Sequence, residues 1–180
     1  MFKCLNVKMN RGFTLVEMMV TVLIFSIVVG VVIGVFVSAL QVQRYNLAYQ
    51  QLLDQTSYAM EYMSRAIRMA VKDDGVGCIS SGFNYQDSAS GIKFVNYKNE
   101  CQEFLLEGGQ LKVEFDSGGK IPLTSNNFNV TYLNFEVSGD EVDDNLQPRV
   151  TIFTEIQGGG AGLQPEITIQ TTISQRNLNF

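Results

Sequence analysis

Few residues of this sequence have the type and spacing that catalytic chemistry requires. The chain of 180 residues contains no histidine, which removes the commonest general base and the commonest zinc ligand. The glycine-rich run at 158–162 is not followed by Lys-Ser/Thr, so it does not form a phosphate-binding loop. A G-x-S-x-G nucleophile motif is also missing from the sequence. Nothing in these patterns supports an enzyme.

One carboxylate occupies an unusual position. Glu17 is the only charged residue between residues 13 and 40. A carboxylate in a membrane-spanning helix costs about 2.5–3.5 kcal/mol at the centre and less near an end. Two interpretations are open on these grounds. Either Glu17 has a functional partner, or it lies at the cytoplasmic interface and reaches water.

The element that must position Glu17 is a membrane helix. Residues 13–40 would form a helix of about 42 Å, and a bilayer core requires only about 20 residues. This run is too long for the apolar core of a secretory signal peptide, and Cys4 precedes it, which does not fit a lipoprotein signal. Residues 1–12 contain three basic residues and no acidic one. The positive-inside rule therefore places this end in the cytoplasm and the rest of the chain outside.

The segment Arg11-Gly12-Phe13-Thr14-Leu15-Val16-Glu17 resembles the processing motif of type IV pilin-like proteins. The resemblance implies that a prepilin peptidase removes residues 1–12, cutting between Gly12 and Phe13, and that the new amino terminus is methylated. Glu17 would then be the fifth residue of the mature chain. In a filament its carboxylate would pair with the terminal amine of a neighbouring subunit and set the axial register, because breaking a buried ion pair is costly.

Two glycines lie in the apolar run, Gly30 and Gly34. Small residues at this spacing allow membrane helices to approach closely. The same residues lower helix propensity by about 1 kcal/mol each relative to alanine. They indicate a face for helix packing or a flexible point in the helix. Alternatively, the helix tolerates both glycines and they have no special role.

The helix continues beyond the membrane run. Apolar residues between 41 and 74 recur mostly at steps of three, four or seven, which predicts an amphipathic helix half. The whole helix is expected from about residue 14 to 72, with Gly75 as its terminator. An apolar stripe of this kind is typical of a helix packed on a protein core.

Residues 75–180 are predicted to form a β-rich extracytoplasmic domain. Turn signals separate six candidate strands at 92–97, 102–106, 110–116, 128–137, 149–156 and 166–173. The segment 128–137 has apolar residues on both faces, so it is either buried on both sides or contains a bulge. The predicted fold class is α+β, a long helix packed on an antiparallel sheet, as in pilins.

Two cysteines remain after removal of the leader, Cys78 and Cys101. An even pair in an extracytoplasmic domain predicts a disulfide, and two buried free thiols are the alternative. A bond between them would stabilise the fold by roughly 3 kcal/mol in the chain-entropy account. The cysteine spacing does not match a zinc site.

An acidic cluster offers weak calcium ligands at Asp140, Asp143 and Asp144. Some type II secretion pseudopilins resemble this in having a calcium-binding loop. The spacing does not fit an EF-hand, and a charge run in a hairpin is commonly a solvated turn. No other cofactor is expected.

The leading hypothesis is a minor pilin or minor pseudopilin that acts in assembly initiation or near the filament tip. Major pilins often carry a proline near Gly34, which this sequence lacks. Expected partners are the prepilin peptidase, other pilins or pseudopilins, the inner-membrane assembly platform and the membrane. A pilin-like adhesin or DNA-uptake subunit is the alternative, although the net charge of −5 disfavours nucleic acid. An unrelated single-span protein and an enzyme are the remaining hypotheses.

Overall fold

A computed structural model describes residues 12–116, 118–140, 146–158 and 164–176. The chain divides into two compact units between Arg44 and Tyr45. In chain order the elements are α1 (Leu15–Arg68), β1 (Tyr85–Ser88), β2 (Gly91–Val95), β3 (Cys101–Glu107), β4 (Gln110–Phe115), β5 (Ile121–Pro122), β6 (Phe128–Ser138), β7 (Arg149–Gly158) and β8 (Glu166–Ser174).

The first unit contains the beginning of α1. Its most apolar 18-residue window has a mean hydropathy of 3.0, and none of that window is buried within the protein. This is the one helix among the described residues that is long and apolar enough to cross a membrane. The apolar side chains of residues 15–44 therefore require a membrane or another protein to cover them.

The second unit contains the rest of α1, and here one stripe of the helix is buried. The stripe recurs mostly at steps of three or four residues and consists of Leu52, Thr56, Ala59, Met60, Met63 and Ile67. This spacing places all of these side chains on one helical face, which packs into the core. The amphipathic second half that the sequence predicts is confirmed.

The strands form two antiparallel sheets. The first has the order β1-β2-β3-β4-β5, and the second has the order β6-β7-β8. The predicted α+β class with antiparallel strands is confirmed, and the strands are divided between two sheets rather than one. The sheets meet where the N–H of Val130 donates to the carbonyl of Gly109, at the tip of the β3–β4 hairpin (2.8 Å).

The core of the second unit lies between α1 and the two sheets. Its centre is aromatic, with Phe94 and Phe104 fully buried and their ring centroids 5.6 Å apart. Tyr62 of α1 packs edge-on against Phe104 at 6.0 Å. Aromatic rings bury large apolar areas, so this cluster contributes strongly to the attachment of α1 to the sheet.

The segment with apolar residues on both faces contains a bulge. The register of β6 against β7 shifts between Val130 and Tyr132. The extra residue, Thr131, donates its hydroxyl to the carbonyl of Glu155 (3.2 Å). A bulge reverses which residues point to the core, which explains the change of apolar alternation along this strand.

Helix α1 ends at Arg68, four residues before the expected end at residue 72. The helix ends early because Val71 pairs with a strand instead. It forms an antiparallel bridge with Val95 and donates its N–H to the carbonyl of Val95 (3.0 Å). Gly75 has φ = 107° and turns the loop that follows rather than the helix end.

The last carbonyls of α1 and of the residues just after it find donors on distant segments. The hydroxyl of Tyr85 donates to the carbonyl of Ile67 (2.7 Å). The side-chain amide of Gln175 donates to the carbonyl of Ala70 (2.7 Å), and the Arg176 N–H donates to the carbonyl of Arg68 (2.9 Å). These bonds satisfy groups that a helix end leaves without intrahelical partners.

Candidate functional site

The first candidate site is the start of α1, where the sequence predicts a cleavage. Thr14 precedes the helix, and its hydroxyl oxygen accepts the backbone N–H of Glu17 at 3.2 Å. A threonine at this position followed by an acidic residue in the first turn is a favourable helix start. The local sequence therefore begins the helix just after the Gly12–Phe13 bond.

The Gly12–Phe13 bond lies in an open part of the chain. The side chain of Phe13 is 72% exposed. A Cβ atom built on Gly12 meets no atom of the described residues within 4 Å, so the described fold does not require glycine at the position. A peptidase could reach the bond without unfolding any described element.

Glu17 lies in the first turn of α1 and is exposed. Its carboxylate accepts no hydrogen bond and forms no ion pair with another described residue. Between residues 12 and 40, all of which the structure describes, Glu17 is the only charged residue, so its neighbours on the helix supply no cation. The geometry therefore leaves Glu17 available to a group from outside the described chain.

Gly30 and Gly34 lie four residues apart, so they share one face of α1. A Cβ atom built at either position meets nothing within 4 Å. Neither glycine is needed for a contact among the described residues. They leave a shallow, open strip on an apolar helix surface.

The second candidate feature is the loop that follows α1. Cys78 and Cys101 form a disulfide with their Cα atoms 5.3 Å apart, as the sequence predicts. This bond joins the loop after α1 to the start of β3. It also closes a chain segment with a sequence separation of 23 residues.

The same loop is organised by a buried carboxylate that the sequence reasoning missed. Asp73 is 1% exposed, and its two oxygens accept five backbone N–H groups. The donors are residues 75–79, at 2.8–3.2 Å. These bonds, the one from Ile79 above all, hold the pKa of Asp73 below its ordinary value of 3.8. The spacing of Asp73, Gly75 and Gly77 is a signal for such a turn.

The calcium candidates are not brought together as a described site. Asp140 accepts hydrogen bonds from the backbone N–H groups of Asn84 and Tyr85, with closest distances of 3.0 Å, and from the Asn84 side chain at 2.7 Å. Asp143 and Asp144 lie outside the described residues. Within the described part of the chain, no three His, Cys, Asp or Glu side chains group in a way that could hold a metal. Asp140 therefore ties a loop to β1.

Comparison with known families gives a match at the start of α1, the first candidate site. The model of the prokaryotic N-terminal methylation motif matches residues 7–38. This range includes the Gly12–Phe13 bond, Glu17 and both glycines of the apolar run. Searches of curated proteins and of solved structures each returned no match to the chain.

Proposed function

We propose that this chain, a type IV pilin-like protein, is a minor subunit of a type IV pilus-like or type II secretion filament. The observation that carries the proposal is the N-terminal methylation motif, which supports a pilin or pseudopilin that a prepilin peptidase processes. The proposed cut lies between Gly12 and Phe13. Residues 1–12 form the leader, and residues 1–11 lie outside the described residues.

Cleavage would place a positive amine one helical turn from Glu17. In a bundle of apolar helices this amine and the carboxylate of a neighbouring subunit would each lack water. Their pairing adds little net stability, but a misplaced subunit would leave both charges buried and unpaired. We infer that Glu17 selects the axial register of assembly.

The exposed apolar surface of residues 13–40 fits two successive environments. Before assembly it fits a single membrane span, with residues 41–180 outside the cytoplasm. After assembly it fits a helix bundle, in which Gly30 and Gly34 would let a neighbouring helix approach closely. The partners in this scheme are the prepilin peptidase, the inner-membrane assembly platform and other pilins or pseudopilins.

A minor rather than a major role is supported by the second unit and by the absence of a proline near Gly34. The unit after residue 44 is large and carries two sheets, which resembles minor subunits with surfaces for specific neighbours. Tip subunits of the family typically lack the glutamate that this chain retains. Glu17 therefore argues against the tip subunit itself, and the proposed role is in initiation or near the tip. In this scheme the chain has no enzymatic role.

Intact mass and amino-terminal sequencing of the protein from its native membrane test the processing step. The expected chain begins at N-methylated Phe13. Gly12→Val should leave a chain that begins at Met1. The substitution should not disturb the described fold, because a Cβ atom at Gly12 meets none of its atoms. A wild-type chain that still begins at Met1, in cells that process other prepilins, would contradict the proposal.

The register role of Glu17 needs a variant that is still processed. Glu17→Gln keeps the shape of the side chain and removes its charge. We expect cleavage at the same bond and at least about tenfold less protein in sheared filaments, because the neighbour's amine would be buried without a partner. Glu61→Gln, on the exposed surface of the same helix, is the control and should assemble normally. Normal incorporation of Glu17→Gln would refute the role.

A further inference from the structure

The outer edge of β8 carries unpaired backbone groups in a regular order. At the two ends of the β7–β8 pairing, Gly158 N–H donates to the carbonyl of Pro165 (2.8 Å) and Gln175 N–H donates to that of Pro148 (3.0 Å). In an antiparallel ladder every second residue bonds the same neighbour. The odd-numbered residues of β8 therefore bond β7. The even-numbered residues direct their N–H and C=O groups to the other side; they are Glu166, Thr168, Gln170, Thr172 and Ser174.

This edge is open among the described residues. The sheet order ends at β8, and no described residue hydrogen-bonds the outward backbone groups of Glu166 to Ser174. The open stretch stops at Arg176, whose N–H donates to the carbonyl of Arg68. A free edge of nine residues thus lies between the β7–β8 loop and the end of α1.

The edge lacks the features that normally prevent strand pairing. Natural proteins protect long edges with prolines, lysines or bulges. β8 contains no proline and no basic residue, and its register against β7 runs without a shift from Glu166 to Ser174. The opposite edge of the same sheet is different, because β6 carries a bulge and bonds Gly109 through Val130. The contrast marks the edge of β8 as a pairing surface.

We propose that β8 pairs with β8 of a second copy of this chain, antiparallel about a twofold axis at Gln170. The strand sequence EITIQTTIS reads nearly the same in both directions from that residue. In this register Thr168 lies opposite Thr172, and Gln170 lies opposite itself. Every outward-facing residue then meets another outward-facing residue, which is the condition for the backbone bonds to form. A surface that is complementary to itself is what a twofold dimer requires.

The side chains agree with this register on both faces of the strand. On the core face Ile167 would lie opposite Ile173, an apolar pair, and Ile169 opposite Thr171, a pair of β-branched residues. Ile167 and Ile169 are only partly buried in one copy, and a second strand would cover them further. On the outer face the one charged residue, Glu166, would meet Ser174. The result is one continuous sheet of six strands.

Oxidative cross-linking of the full chain in detergent tests the register. In a Cys4→Ser background, Gln170→Cys places two thiols at the axis, where a bonded strand pair has Cα atoms about 5.5 Å apart. Thr168→Cys is the matched control on the same face, because its copies lie four residues apart along the strands, about 13 Å. We expect at least about tenfold more linked dimer from Gln170→Cys. Equal or no linkage for both variants would overturn the proposal.

A proline variant tests whether the backbone bonds hold the dimer together. The N–H of Gln170 points away from β7, so Gln170→Pro removes no bond within one copy. Gln170→Ala removes the side chain and keeps the N–H. We expect a dimeric mass in detergent for the wild type and for Gln170→Ala, and a dimer weakened roughly tenfold or more for Gln170→Pro. A dimer that survives the proline forms through another surface, and a monomeric wild type would also refute the pairing.

Hydrogen exchange of the unmodified chain provides a measurement that does not depend on a variant. On dilution of the dimer to monomer, the amides of Thr168, Gln170 and Thr172 should lose protection. The amides of Ile169 and Thr171 bond β7 in both states and should change little. Unchanged exchange at the three outward-facing positions would contradict the proposal. None of these outcomes depends on cleavage at Gly12, so the pairing can fail without affecting the proposed function.

Discussion

The two parts of α1 use apolar residues in opposite ways. In residues 15–44 the apolar side chains surround the helix and none of the most apolar window is buried. In residues 45–68 one stripe of them is buried against two sheets, while Leu47, Leu53 and Tyr58 stay exposed. The first part obtains its stability from surroundings outside the chain, while the second part is covered by the chain itself. Periodicity, more than total hydrophobicity, distinguishes a helix that needs a membrane or a bundle from one that completes a core.

The same substitution made in both parts of α1 gives the strongest test of this difference. Ile67 is fully buried and Ile33 is 56% exposed, and both lie on α1. Ile67→Ala should lower the free energy of unfolding of the second unit by about 3–4 kcal/mol, because it leaves a cavity. Ile33→Ala should change it by less than about 0.5 kcal/mol.

Tyrosine fluorescence during urea unfolding of the full chain in detergent measures this difference. All seven tyrosines lie after Arg44, so the signal reports on the second unit alone. Similar losses for both alanine variants would mean that residues 15–44 and the second unit unfold together.

The disulfide is the second-largest expected contribution. Replacing Cys78 and Cys101 together by serine should cost about 3 kcal/mol, because the unfolded chain gains the freedom of the closed loop. The same urea titration measures the loss, with Cys4→Ser as the control for removing a cysteine. An unchanged midpoint would mean that the disulfide adds no net stability and that the hydrogen bonds of the loop after α1 suffice to hold it.

The loop after α1 offers a smaller test that separates its two acidic residues. Asp73→Ala should cost about 2 kcal/mol, because five backbone N–H groups lose their acceptor and only some of them regain water. Asp74 is its exposed neighbour, and Asp74→Ala should fall within about 0.5 kcal/mol of the wild type. Equal effects would show that the hydrogen bonds of Asp73 contribute nothing net to folding.

Much of this fold could be predicted from local sequence. The helix, its change of character after residue 40, the six longer strands, the bulge and the cysteine pair all leave periodic or compositional signals. The strands β1 and β5 were missed, because four and two residues are too short to show alternation. The split into two sheets was also missed, since it depends on which strand edges meet in space.

The end of α1 shows why distant contacts escape this kind of prediction. Gln175 had no evident role in the sequence, yet its side chain is buried and bonds Ala70 from more than a hundred residues away. Val71 leaves the helical pattern because Val95 offers a strand partner. The proposed processing site needs no distant contact to be found. Its signal lies in one contiguous stretch, the motif at residues 11–17 with the apolar run that follows. The structure adds only that the bond is open and that Glu17 has no described partner.

The smallest expected effect is a loss of folding stability at low pH. It distinguishes the buried carboxylate of Asp73 from the carboxylates exposed to solvent. The pKa of Asp73 is lowered from 3.8 by its hydrogen bonds, so at low pH the unfolded chain binds a proton that the folded chain does not. Its contribution is fully present above about pH 5 and is lost as the pH falls through the unfolded value towards the folded one. Bonds from Lys112 and Lys120 also lower the pKa of Glu107, to about 2, and act in the same direction.

High salt and an Asp73→Ala reference protein distinguish the contribution of Asp73 to stability from that of Glu107. Glu107 is exposed, so salt should screen its ion pairs, whereas the hydrogen bonds of the buried Asp73 should persist. The wild-type free energy of unfolding minus that of Asp73→Ala should therefore shrink between about pH 5 and pH 2 even at high salt. Urea titrations of both proteins across this range measure the difference. Parallel decreases would mean that Asp73 titrates alike in the folded and unfolded chains, and that the loop is held by its disulfide rather than by its charge.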